Sequence, residues 1–363
     1  MIKIKNVASQ DIADKSLNQQ KHSYRFSKEN QIVQSSTLSR IMAFVGLCVL
    51  IIMILAPWWA GRGDMRLLGE MFLYLSLASL WNMLAGYSGL VSVGQQAFVG
   101  FGGYMLFALA MFGGIHPFMT LPIAFLFGGL VSVPIAFLIF RLKGAYFAIG
   151  TWVIAEVFRL VFSQVSSLGG GSGTSLPIAV VKSIASSKSA RESYSYWLAL
   201  GVLLVLLGSI YFFLRSKRGL ALTAIRDNEL AAASLGINIL RTKITVYVAT
   251  AAATSAVGAL IFLQKLRISP DAAFSVNDWT TFVIFIVVIG GIGTIEGPII
   301  GTLIYFALRE TLADLGTTYL LVLGFVAIGI MLFSPKGIWG WVYEKYDIEL
   351  FPIKRRVVPK HKD

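Results

Sequence analysis

Long apolar runs recur along this chain and limit what it can fold into. A helix that crosses a bilayer needs about 20 mostly apolar residues, and ten such runs fit, at 41–60, 67–86, 94–114, 119–140, 145–165, 196–214, 244–263, 278–292, 297–312 and 317–334. Only 13% of the 363 residues are charged, against about 25% in an average soluble domain. The pattern predicts an all-α polytopic membrane protein, a bundle of about ten transmembrane helices.

The predicted bundle, residues 41–334, lies between two polar ends. Residues 1–40 contain no long apolar run, whereas a cleavable signal peptide has its apolar core much nearer the start. We therefore expect residues 1–40 to be a cytosolic tail, either disordered or a helix on the membrane surface. Residues 335–363 are expected to form a basic cytosolic tail.

The net positive charge of the chain comes from four segments. Residues 1–40, Arg141–Lys143, Arg215–Lys243 and 335–363 together carry the whole net charge of +13, and the rest of the chain is balanced. Lys and Arg concentrate in the cytosolic loops of membrane proteins. These segments are therefore predicted to lie on the cytosolic side of the membrane, with both termini cytosolic. The minor alternative is that these basic segments form a binding patch for nucleic acid or anionic lipid. We expect the chain to contact the lipid of its membrane and to bind no nucleic acid.

The segment Arg215–Lys243 is a polar island between two apolar runs. It holds six basic and two acidic residues, and its Ala-rich, Leu-spaced middle predicts a short amphipathic helix that ends at Gly236. A short isolated helix is marginal in water, so this one needs another surface to lie on. The island is therefore predicted to dock on a soluble partner, which would supply the energy.

Two segments, Gly86–Tyr104 and Gly290–Gly301, are rich in glycine and contain isolated polar groups. One interpretation is close helix packing, because small residues let backbones approach in lipid. The other is broken helices whose freed backbone lines a polar path. The short runs 278–292 and 297–312 could also form a re-entrant pair.

Four neutral polar residues lie in or beside the first of these segments, namely Asn82, Ser92, Gln95 and Gln96. Buried amides and hydroxyls need hydrogen-bond partners. These four are candidates for a translocation path, where water or a polar substrate would satisfy them. They could equally bond helix to helix.

Five ionisable residues lie within predicted spans, namely Glu70, Glu156, Arg159, Arg309 and Glu310. Glu156 and Arg159 are three residues apart, a spacing at which side chains of one helix can pair. We predict a structural ion pair there. A functional role is the alternative, because charges inside a membrane are expensive and often functional.

Sequence motifs for catalysis are missing. The Gly-rich run Gly169–Thr174 has no Lys to contact a phosphate, so it is not a nucleotide-binding loop. His22, His116 and His361 are scattered and cannot form a metal cluster with the single cysteine, Cys48. No nucleophile or paired-carboxylate arrangement can be recognised. The chain is expected not to be an enzyme and to bind no cofactor or metal.

Four sequence blocks in order resemble a known family. They are Gly86–Tyr104, then Arg141–Thr151 followed by Glu156 and Arg159, then Ala224–Asn238, and finally Ile268–Ser275 through Gly290–Gly301 to Leu332–Gly340. Across about Leu67–Trp341 the chain resembles the permease subunits of bacterial ABC importers for branched-chain amino acids, urea and amides. It is most similar to the longer-tailed permease type of the leucine-isoleucine-valine system.

The resemblance implies a function and partners. The chain would be the transmembrane subunit of an ATP-driven importer in a bacterial cell (inner) membrane. It would carry amino acids, branched-chain ones first, or a related amide or urea, and would work by alternating access. Its partners would be a second homologous permease subunit, two cytosolic ATPase subunits and an extracytoplasmic substrate-binding protein. The third block would be the coupling segment for the ATPases, with candidate residues Arg226, Asp227, Glu229, Ala231, Ala232 and Gly236.

Two departures from the family pattern affect the details. Leu230 stands where the coupling segment usually has Glu, and Gly169–Thr174 lacks the Asn or Asp that relatives often carry. The second departure leaves the choice among branched-chain amino acid, amide and urea open. The alternative function is an ion-gradient-driven secondary transporter of a small polar solute. It would require an essential intramembrane carboxylate and no ATPase partner.

Overall fold

The computed structural model describes residues 30–33, 37–185, 187–312, 316, 318–334, 336–346, 351 and 356–359. The helices are α1 Thr37–Trp59, α2 Arg62–Ser88, α3 Gln95–Met111, α4 Pro117–Ile139, α5 Ala145–Ser163, α6 Ile178–Ile184, α7 Lys188–Arg215, α8 Lys217–Asp227, α9 Glu229–Ser234, α10 Ile239–Lys265, α11 Pro270–Ala273, α12 Phe282–Gly290, α13 Glu296–Thr311, α14 Tyr319–Phe333 and α15 Gly337–Tyr346. The strands are β1 Asn30–Val33, β2 Thr174–Ser175, β3 Arg267–Ile268 and β4 Arg356–Pro359.

The chain divides into two compact units. The smaller contains Met1–Leu47 and Glu349–Asp363. Within it, β1 and β4 pair antiparallel, with Asn30 opposite Pro359. The larger unit, Cys48–Ile348, contains the helical bundle. His22 and His361, which were considered as metal ligands, lie outside the described residues.

Membrane-length helices dominate the described part of the larger unit. Seven helical spans there are long and apolar enough to cross a bilayer, namely Arg62–Ser88, Pro117–Ile139, Ala145–Ser163, Lys188–Arg215, Ile239–Lys265, Pro270–Gly290 and Leu320–Tyr343. Phe44–Trp59 is a shorter apolar helix. The other two predicted spans coincide with α3, of 17 residues, and α13, of 16 residues. The predicted fold class, an all-α polytopic membrane protein, is confirmed, but the count of ten crossings is not.

Helix α10 lies at the centre of the bundle. It packs against α4, α3 and α2, and 83% of its most apolar stretch is buried, against 17% for α5. A helix that is apolar on all sides can be buried on all sides, and α10 follows this rule. Helix α5 instead presents most of its apolar surface outward.

Glycines allow two pairs of helices to pack backbone against backbone. A Cβ atom on Gly102 of α3 would overlap the Ser255 carbonyl of α10, and one on Gly258 of α10 would overlap the backbone of Val99. Helices α12 and α13 meet in the same way, with Gly301 against the Ile286 carbonyl. Such close approach is a common way to associate helices in lipid. The packing interpretation of the glycines is confirmed at these contacts.

Ion pairs involve all five ionisable residues predicted to lie within spans. Arg309 of α13 donates both terminal nitrogens to the Glu70 carboxylate of α2, each at 2.9 Å, which joins these two helices. Glu310 lies 3.7 Å from Arg309. The predicted Glu156–Arg159 pair is present, with the Arg159 Nε 2.9 Å from a Glu156 oxygen.

The helical bundle continues past the last predicted span. Helix α15 packs against α12 and α13. Its Trp339 is 8% exposed, and a Cβ atom on Gly337 would lie within 2.6 Å of the Gly291 backbone nitrogen. The beginning of the predicted C-terminal tail is therefore part of the bundle.

Candidate coupling and translocation site

The polar island folds into two short helices, α8 and α9, which meet at Asn228. The Asn228 side chain accepts a hydrogen bond from the Ala231 backbone N–H at 3.0 Å and so caps α9. At the other end Gly236 has φ of +81°. Its N–H donates to the Ala233 carbonyl at 2.9 Å, and the N–H of Ile237 donates to the Ala232 carbonyl at 3.2 Å. This pair of bonds is the Schellman arrangement, which favours glycine, so the predicted helix end at Gly236 is confirmed.

Helix α9 presents apolar side chains to its surroundings. Leu230 is 82% exposed and Leu235, directly after the helix, is 79% exposed. Ala231 is also exposed, whereas Ala232 is buried against the rest of the chain. Sequence reasoning selected Ala231 and Ala232 but not the two leucines. The sequence signal that could have identified them was the presence of leucines on a highly charged loop.

Glu229 holds α9 to the central helix. Its carboxylate pairs with the Lys243 ammonium in the first turns of α10. The Lys243 side chain is only 14% exposed, whereas that of Glu229 is 55% exposed. Glu229 was predicted to contact a partner, and the structure gives it a contact within the chain that links α9 to α10.

Arg226, at the end of α8, connects the island to the transmembrane helix α2. Its guanidinium donates to the Gly86 carbonyl at 2.9 Å and pairs with Asp227 at 2.8 Å. Carbonyls in the last turn of a helix lack partners within that helix and favour a positive charge. Arg226 therefore ties α8 to the C-terminal end of α2.

Both Gly-rich segments contain a break between helices. Helix α2 ends before Gly89, which has φ of +69°, and α3 begins at Gln95. Helix α12 ends at Gly290, and α13 begins at Glu296. Each Gly-rich segment thus contains a helix break as well as close packing, and the lining of a polar path stays a prediction.

Asn82 of α2 binds the break between α12 and α13. Its side-chain amide donates to the Thr294 carbonyl at 2.7 Å and accepts from the Gly293 N–H at 2.8 Å. Gly86 lies so close that a Cβ atom there would overlap the Asn82 oxygen. Of the two roles considered for Asn82, structural bonding is the one visible in the structure, and it links α2 to the segment between α12 and α13.

Glu296 is a buried acidic residue that sequence reasoning missed. It is 5% exposed and lies in the first turn of α13. A carboxylate is favoured there because the N-terminal end of a helix carries partial positive charge. Its position after Gly293 and Thr294, at the start of an apolar run, was the signal that could have identified it.

Ser92 and Gln95 line a small pocket between α2, α3 and α10, with room for about one water molecule. The polar side chains of Thr250 and Thr254 from α10 also line it. Gln95 donates its amide to the Leu77 carbonyl at 3.0 Å. Within the described part of the chain its buried amide oxygen has no hydrogen-bond partner. The pocket is therefore mostly apolar, with polar groups contributed by Ser92, Gln95, Thr250 and Thr254.

Gln96 is not among the residues that line this pocket. Its amide oxygen accepts a hydrogen bond from the Thr280 hydroxyl, and the residue is fully buried. Thr280 belongs to the π-helical segment Asn277–Thr281, a rare geometry often found at functional sites. Among the four candidate path residues, the structure brings Ser92 and Gln95 together and gives Asn82 and Gln96 separate bonding partners.

Comparison with known proteins decides the family. Residues 65–334 match the family model described as the branched-chain amino acid transport system / permease component. The chain belongs to this permease family. It is 28% identical over 328 residues to the high-affinity branched-chain amino acid transport system permease protein LivM of Escherichia coli, covering 84% of this chain and 76% of that protein.

Other permeases of this name are similar as well. The protein of the same description from Salmonella typhimurium is 27% identical over the same shares. A probable branched-chain amino acid transport permease protein LivM from Methanocaldococcus jannaschii is 26% identical over 195 residues, which is 52% of this chain and 53% of that protein.

The permease match includes the whole candidate site. Residues 65–334 contain both helix breaks, the pocket and the island from α8 to Gly236. Together with the seven membrane-length helices of the described residues, the match makes this chain a multi-pass membrane component of a transport system. The resemblance to this family is confirmed.

Proposed function

We propose that this chain is the permease subunit of an ATP-driven importer that carries branched-chain amino acids across a bacterial inner membrane. The family match supports the transport role. The names of the Escherichia coli and Salmonella typhimurium relatives, which describe branched-chain amino acid transport, support the substrate class. The observation that carries the ATP-driven part is the exposed apolar surface of α9 at the end of a charged loop.

The energy comes from other chains in this proposal. The sequence has no phosphate-binding loop, so two cytosolic ATPase subunits bind and hydrolyse ATP. Leu230 and Leu235 enter an apolar groove on one ATPase and leave water on docking. A second homologous permease completes the path, an extracytoplasmic binding protein delivers the amino acid, and both termini of this chain are cytosolic.

The contacts of the island define how movement passes to the membrane helices. When the ATPases close, α9 moves with them and pulls on α10 through the Glu229–Lys243 pair. Arg226 transmits the same movement to the end of α2. Helices α2 and α10 both line the pocket that contains Ser92 and Gln95. A population shift between two arrangements of these helices opens the path to one side or the other.

An ion-gradient-driven transporter has less support. Two of its candidate carboxylates, Glu70 and Glu156, are held by Arg309 and Arg159. A carboxylate that binds and releases protons or ions must be free to change its charge. The apolar α9 surface would also have no purpose without a soluble partner.

The test is a double substitution, Leu230→Asp with Leu235→Asp, in a complex co-expressed with its candidate ATPases and binding protein. We expect the double variant to reach the membrane in normal amounts but to lose both the co-purifying ATPases and ATP-driven uptake of leucine. Lys217→Asp is the control, because it changes an exposed charge on α8 and leaves α9 untouched. Normal ATPase binding and uptake by the double variant would contradict the proposed coupling surface.

A further inference from the structure

Three charged side chains meet at the end of α5 that lies away from the island. The Arg159 guanidinium pairs with Glu156 on its own helix at 2.6 Å and with Asp271 of α11 at 2.9 Å. We call Glu156, Arg159 and Asp271 the charged triad. With one positive and two negative groups, the charged triad has an overall charge of about −1, given the ordinary ionisation of these side chains.

The charged triad faces outward from the chain. The side chains of Arg159 and Glu156 are 31% and 46% exposed, and that of Asp271 is 81% exposed. The same helix exposes Val157 and Leu160 by 50% each. Lipid can cover such apolar residues, but charges that face lipid are costly. The charged triad must therefore face water or a polar partner within the assembled transporter.

A stack of aromatic rings lies beside the charged triad. The Tyr104 ring stacks on Phe162 of α5 with centroids 4.5 Å apart, and on Phe274 with centroids 5.9 Å apart. Gly100 leaves space for Phe274, because a Cβ atom there would overlap its ring. The Tyr104 hydroxyl is buried and has no hydrogen-bond partner among the residues described.

On α5 and at α11 alike, an aromatic residue follows a residue of the charged triad after three positions. Phe162 is three residues after Arg159, and Phe274 is three residues after Asp271. One helical turn advances about 5.4 Å. A ligand with its charged groups on the charged triad would therefore have its next few atoms beside Phe162, whereas Phe274 is only 3% exposed and stacks on Phe162.

We propose that the charged triad and the neighbouring rings form a transient binding site for an α-amino acid in zwitterionic form, with an apolar side chain. The ligand carboxylate accepts hydrogen bonds from Arg159. Its ammonium donates to Asp271, the more exposed of the two carboxylates, and its side chain lies against the half-buried ring of Phe162. The site deepens the proposed function and rests on it, because it assumes that the transporter carries amino acids.

The charges of the site explain a preference for zwitterions. A ligand with only a carboxylate, such as the 2-oxo acid of the same side chain, would be repelled by Glu156 and Asp271. A ligand with only an ammonium group would leave Arg159 paired as it is now. Only a ligand with both a carboxylate and an ammonium group can bind Arg159 and Asp271 at the same time.

The experiment uses a thiol placed beside the site. Ser163 lies one turn after Arg159 on α5, so Ser163→Cys in a Cys48→Ala background reports access to the site. The complete transporter, without the binding protein, is treated with a water-soluble thiol reagent. We expect leucine to slow labelling severalfold, and the matching 2-oxo acid to have no effect.

Asp271→Asn is the decisive variant. It keeps the Arg159–Glu156 pair and the size of the side chain, so the complex should still assemble. We expect leucine protection to disappear and ATP-driven uptake to fall about tenfold, the scale of one charged hydrogen bond. The control is Glu310→Gln, which removes another half-exposed carboxylate, paired with Arg309 on α13, and should transport at the parent rate.

The outcomes separate the two proposals. If the parent complex does not import leucine with its binding protein, the proposed function is wrong. If the parent imports leucine but leucine gives no protection up to its solubility limit, the zwitterion site is wrong. Parent-rate uptake by Asp271→Asn would also overturn the site, because the ion pair would then be only a structural contact.

Discussion

Asn82 and Gln95 both have buried side-chain amides near the same glycines, but they differ in how many of their hydrogen bonds are made. Asn82 uses its oxygen and its nitrogen to hold Gly293 and Thr294. Gln95 lines a pocket and donates to one carbonyl, while its own buried oxygen has no partner among the described residues. Leaving a buried polar group without its bond costs about 1–3 kcal/mol. The two residues should therefore respond differently to loss of their amides.

We predict that Asn82→Leu destabilises the protein and that Gln95→Leu does not. Asn82→Leu leaves the Gly293 N–H and the Thr294 carbonyl without their present partners, so the melting temperature in detergent should fall by several degrees. Gln95→Leu loses one hydrogen bond but also removes an unsatisfied oxygen. It should melt near the parent temperature and yet transport more slowly, because it makes the pocket less polar.

Thermal unfolding followed by fluorescence, together with uptake in proteoliposomes, measures both effects. A Gln95→Leu complex that transports at the parent rate would show that the pocket is a packing defect rather than part of the path. An Asn82→Leu protein as stable as the parent would show that the break between α12 and α13 does not depend on this amide.

Among the elements, the pair α3 and α10 depends most clearly on glycine. Gly102 and Gly258 each contact the backbone of the opposite helix where a Cβ atom would overlap it. Interiors are packed too tightly to absorb an added atom against backbone without a shift of the helices. The crossing of these two helices also positions Gln95, in the first turn of α3, against α10.

We predict that Gly102→Ala and Gly258→Ala each reduce the amount of folded protein and the uptake per molecule. Gly208→Ala is the matched control, because Gly208 lies within α7 and a Cβ atom there meets nothing within 4 Å. Alanine is the better helix former by about 0.5–1 kcal/mol, so the control should be as stable as the parent or more so. Size-exclusion chromatography and melting temperature compare the three variants; equal behaviour would argue against the close crossing.

At the scale of the whole molecule, α10 separates two ends of the bundle. Helices α8 and α9 of the island come before its first residue. Strand β3, which pairs with β2 of the loop after α5, follows its last residue. A helix of 27 residues is about 40 Å long, enough to cross a bilayer. The charge pattern puts the island end inside.

We predict that position 227 is cytosolic and position 188 is extracytoplasmic. Asp227→Cys and Lys188→Cys, each in a Cys48→Ala background, are treated in intact cells with a thiol reagent that cannot cross the membrane. Only the cysteine at 188 should react until the membrane is permeabilised. Labelling of position 227 from outside would reverse the orientation and remove α9 from any cytosolic ATPase.

Some features of this protein were determined by the sequence alone. The apolar runs are long enough to cross a bilayer. Backbone groups in lipid must bond within their own helix, so these runs predict a bundle of membrane helices. The charge pattern predicts the inside face, and the Gly236 helix end was predictable because left-handed backbone favours glycine. These are local properties, which depend on a residue and its near neighbours in the chain.

Other features were decided only by the tertiary structure. Asn82 and Gln95 look alike in the sequence, but residues more than 200 positions away from Asn82 supply its partners. The link from Arg226 to Gly86 and the addition of Asp271 to the Glu156–Arg159 pair likewise join segments far apart in the chain. A hydrogen bond requires atoms within about 3 Å, and sequence spacing does not give such distances between helices. Which polar residues fasten the helices and which face a path is therefore set by packing.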